Sequence, residues 1–68
     1  MENLFIKTQH SRFGMLCPVI INKLHIVRVE PMDNNGAMTK VFLSTLLNEK
    51  PNYLAILMKY EDFIKELQ

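Results

Sequence analysis

The chain has one cysteine, two glycines and almost no net charge, and each shortage closes off a class of function. A lone Cys17 cannot form an intramolecular disulfide, and with His10 and His25 widely separated it makes no zinc-ligand spacing. Gly14 and Gly36 each sit beside turn residues and are too few for a glycine-rich phosphate loop, which argues against nucleotide hydrolysis. A formal net charge of +1 sets up no long-range field to gather polyanions, so nucleic-acid binding would have to rest on a local patch. No apolar run approaches the roughly 18 residues of a membrane-spanning helix. Met1 to Lys7 has neither the basic start nor the apolar run of a secretory signal. The expectation is a cytoplasmic protein with no membrane partner and Cys17 reduced.

What is present describes a folded chain. Half the residues are hydrophobic (49%) against 22% charged, the reverse of a disordered composition. The 68 residues suffice for a single domain, 1–68, with one core. A core this small supplies only about 3–5 kcal/mol, and with disulfide and metal excluded, self-association is the remaining supplement.

Local patterns predict an α+β fold: a small twisted antiparallel sheet, or partly open barrel, of about five strands with one C-terminal helix. Leu4 to Gln9 reads as a strand and His10 to Gly14 as the turn after it. Met15 to Ile21 is a second strand, confined to an edge or bulge by Pro18, which has no N–H for a ladder. Leu24 to Glu30 alternates, placing Val27 and Val29 with His25 on the core face and Leu24, Ile26, Arg28 and Glu30 on the other. Pro31 to Gly36 is a hairpin loop in which Asn35-Gly36 offers two residues tolerant of positive φ. Thr39 to Leu47 is a strand rich in β-branched and aromatic residues, Asn48 to Asn52 a turn, and Tyr53 to Leu57 a last strand. Tyr60, Phe63, Ile64 and Leu67 then fall at helical spacing, with Glu61 and Asp62 favoured in the first turn by the helix dipole and Glu61–Lys65 an i,i+4 pair.

No catalytic set emerges. Cys17 lies in an apolar run, Glu61, Asp62 and Glu66 on a solvated helix face, and the Asp33 loop lacks the carboxylates of a calcium site. The chain therefore reads as a non-enzyme without cofactor. The candidate binding cluster is basic: Lys7, Arg12, Lys23, His25 and Arg28, which converge if the first and third strands are close, with Phe5 or Phe13 as a stacking surface.

From Ile20 onward a set of positions falls into one pattern: Ile21-Asn22, His25-Ile26-Val27 through Val29 to Glu30, then Thr39, Val41 and Leu43, and finally Tyr60-Glu61-Asp62-Phe63-Ile64. In these the sequence resembles the small bacterial FlbD-type flagellar proteins. Met58-Lys59 stands where that pattern has a glutamate and an N-capping serine, and Asn48 to Asn52 replaces a glycine. The matched motifs are structural, so the resemblance implies a fold and carries no function.

Three functional expectations follow. The first is an interaction protein that self-associates and docks on another protein as a regulator or inhibitor, such as one from a phage or mobile element. The apolar excess of Met15, Leu16, Ile26, Met32, Met38 and Met58 motivates it. The alternative is a nucleic-acid-binding regulator with the basic cluster on a dimeric sheet. The third is an oligomer holding a small anionic ligand such as a nucleotide at a subunit boundary, using the same basic residues plus Tyr53 or Phe13.

Overall fold

The computed structural model describes residues 4–68; residues 1–3, part of the stretch examined for a secretory signal, lie outside the described residues. Strands β1 (Phe5–Arg12) and β2 (Met15–Asn22) form the first hairpin. β1 runs three residues beyond the predicted Gln9, because Phe13 and Gly14 alone make the turn. Both have positive φ, 52° and 76°, as a two-residue hairpin turn with the twist of its strands requires.

The chain then turns through a short 3-10 segment, Lys23–His25, with the Asn22 side chain accepting from the Leu24 N–H at 2.9 Å. The predicted strand from Leu24 therefore starts later, as β3 (Ile26–Pro31). Its faces also need correcting. Ile26 pairs with Leu43 and Arg28 with Phe42, so β3 advances two residues for one on its neighbour and Val27 is the extra residue of a bulge. Val27 is 61% exposed, and Ile26 joins Val29 against the core instead.

β4 (Thr39–Leu43) and β5 (Tyr53–Ile56) complete an antiparallel sheet in the order β2-β1-β5-β4-β3. The predicted single run to Leu47 breaks after Leu43 into a 3-10 turn, Ser44–Leu46. In the β3–β4 loop only Gly36 takes positive φ (65°). Asn35 does not, since Asp33 Oδ1 shapes the loop by accepting from the N–H groups of Asn35 and Ala37. The sheet does not close into a barrel; β2 and β3 are its free edges.

Helix α1 (Tyr60–Leu67) covers one face. Phe63, fully buried, meets Ile6, Ile21, Val41 and Ile56, one or more residues from every strand but β3. Leu67 and Met58 pack at the margin, so Met58 and Ile26 belong to the core rather than to an exposed apolar surplus. Lys59 offers no side-chain cap, but the Tyr60 N–H donates to the Gly36 carbonyl at 2.9 Å, so the β3–β4 loop satisfies one of the free donors of the first turn.

Candidate functional site

The structure does not bring the five predicted cationic and histidine side chains together. β5 and β4 lie between β1 and β3, so Lys7 and Arg28 stand on strands three places apart. Lys23 sits beside the start of β1, its N–H donating to the Leu4 carbonyl at 2.9 Å, whereas Arg12 ends that strand. Eight residues at about 3.3 Å each separate them by the length of the hairpin. His25 is exposed in the 3-10 turn, its Nδ1 3.4 Å from Ser44 Oγ. Arg28 bonds Glu30 at 3.3 Å, an ion pair exposed enough to contribute little.

Two other surfaces form. On the sheet face away from the helix, β3, β4 and β5 align Arg28, Phe42 and Tyr53 across one row. The Arg28 guanidinium lies 4.2 Å from the Phe42 ring centre, and the Lys40 ammonium 5.1 Å from that of Tyr53. Phe42 and Tyr53 are 5.4 Å apart and tilted by 53°. Sequence reading passed over Lys40 and Phe42, although their i,i+2 spacing on one strand was the signal that they share a face.

The same row leads into a groove. β1 and β5 pair only at His10–Ile56 and Ser11–Ala55; beyond that point Arg12 and Phe13 diverge from Leu54 and Tyr53. The splay, together with the β4–β5 loop, opens a groove of about 570 Å³. Arg12, Phe13, Lys50 and Tyr53 line it, with Glu49 as its carboxylate and the small Ser11 and Ala55 leaving room. Of the predicted cluster, Arg12 alone reaches this place.

The second surface is the edge strand β2. Met15 to Asn22 contains no Asp, Glu, Lys or Arg, and Leu16 and Ile20, on the face away from the helix, are 52% and 62% exposed. Phe5 on β1 is also exposed beside them. The opposite edge is guarded by the Val27 bulge, the Arg28–Glu30 pair and Pro31. On β2 only Pro18 interrupts the row of backbone donors.

Among the described residues no three His, Cys, Asp or Glu side chains form a metal-binding group, and no helix is long and apolar enough to cross a membrane. No family model, curated protein or solved structure matches this chain.

Proposed function

We propose that this chain is a non-enzymatic interaction protein that self-associates through β2 and docks on a protein partner, acting as a regulator or inhibitor. One observation carries the reading: an eight-residue edge strand without a charged side chain, with Leu16 and Ile20 standing out from it. Unpaired backbone groups at such an edge accept another strand, and the apolar side chains beside them add burial. A second copy of the chain fits this edge, because antiparallel pairing of β2 with itself is two-fold symmetric and sets no charge against a like charge.

Light scattering tests the proposal at about 50 and about 500 mM salt, since an apolar interface responds little to salt whereas phosphate binding weakens steeply. The expected result is a salt-insensitive oligomer that Ile20→Glu converts to a folded monomer. A monomeric wild-type chain at both salt concentrations overturns self-association.

A further inference from the structure

We propose a second binding site, independent of β2: the groove at the β1–β5 splay takes a nucleotide unit, its base stacked on Phe13 and Tyr53 and its phosphate held by Arg12 and Lys50. The groove's volume of about 570 Å³ falls within the range of small-ligand sites. Among apolar neighbours that include Met32, Leu46 and Leu54, its lining sets two aromatic rings beside two cations, the combination that holds a base and a phosphate together.

Phe13 is the most telling residue. It is 91% exposed and sits at φ 52°, a left-handed conformation that a bulky side chain adopts only at a cost in energy and that Asn or Gly fills more easily. Nothing in the core gains from a phenyl ring there. An aromatic ring kept in a strained turn, open to solvent and facing a groove, is explained by a ligand that covers it. The Arg12 guanidinium lies 5.4 Å from its ring centre, so cation and stacking surface already adjoin.

Charge narrows the ligand. Arg12 and Lys50 have no carboxylate within ion-pair distance among the described residues; Lys40, which does not line the groove, lies over the Tyr53 ring and moves off that face when a base stacks there. Glu49 in the same groove opposes a high anionic charge and favours a single phosphate over a triphosphate. A purely apolar peptide would leave Arg12, Lys50 and Glu49 desolvated and unpaired, which disfavours it. The site is a binding site without a glycine-rich loop, and no hydrolysis is attached to it.

A base with one phosphate arises as a free mononucleotide or as a unit of single-stranded nucleic acid, and the test separates these sources. Two probes are titrated into the full chain: AMP by calorimetry, and a labelled oligothymidylate of about ten nucleotides by fluorescence anisotropy. Saturable binding of AMP identifies the free nucleotide. Binding of the oligonucleotide alone identifies the strand, and its affinity then falls steeply between about 50 and about 500 mM salt.

In either case Tyr53→Ala weakens binding at least about fivefold while Tyr53→Phe retains it, as a stacking contact requires. Lys50→Ala reduces the salt slope for the strand by about one. Phe13→Asn, which suits the turn and keeps the fold, also weakens binding, and Lys65→Ala on the helix leaves it unchanged. Absence of binding by both probes at millimolar concentration, or binding that Tyr53→Ala and Phe13→Asn leave intact, overturns the proposal. Neither result bears on β2, whose test reads oligomer mass.

Discussion

The Thr39 hydroxyl donates a hydrogen bond to the Met58 carbonyl at 2.8 Å, tying the first residue of β4 to the segment between β5 and α1. Thr39 is fully buried and is the one buried polar side chain among the described residues. Thr39→Val keeps the shape but leaves that carbonyl without its partner, which costs about 1–3 kcal/mol. The urea midpoint should fall with the slope of the transition unchanged.

Phe63 is where helix and sheet depend on each other. Replacing it with alanine removes the one fully buried side chain of α1 and costs about 3–5 kcal/mol, comparable with the whole stability of so small a core. Far-ultraviolet circular dichroism of Phe63→Ala should show loss of the sheet as well as of the helix.

Relief of strain at Phe13 is expected to raise stability. Phe13→Asn places the preferred Asn-Gly pair in a two-residue turn and lowers the left-handed penalty by about 1 kcal/mol. In a domain of this size that lifts Tm by roughly 4–8 °C, readable by calorimetry. A fall in Tm would show that the phenyl ring itself stabilises the hairpin.

On the outer face, a double-mutant cycle distinguishes the two partners of Arg28. Coupling of Arg28 to Phe42 should be about 0.5–1 kcal/mol, as the guanidinium covers the ring at 4.2 Å. Coupling to Glu30 should be smaller, because both side chains of that pair stand about half exposed or more.

The helix was legible from four apolar positions at helical spacing, and the edge character of β2 from Pro18, since both signals act within a few residues. The bulge was not legible. Strict alternation assigned Val27 to the core, and only pairing with β4 shows that one residue of β3 is surplus. The groove was legible in part: Arg12, Phe13 and Tyr53 each stood out by type, but their meeting depends on β5 inserting beside β1, a pairing between residues more than forty positions apart. Strand order is a long-range property: convergence of the basic cluster required β1 and β3 to be close, and β5 and β4 lie between them.

The bond from Tyr60 to the Gly36 carbonyl makes the β3–β4 loop a part of the helix. A helix this short has a costly nucleus, and one donor of its first turn is met by an acceptor 24 residues earlier in the chain. Cut out of the chain, residues 59–68 should therefore hold little helix, because both the acceptor for the Tyr60 N–H and the sheet that covers Phe63 lie elsewhere in the sequence.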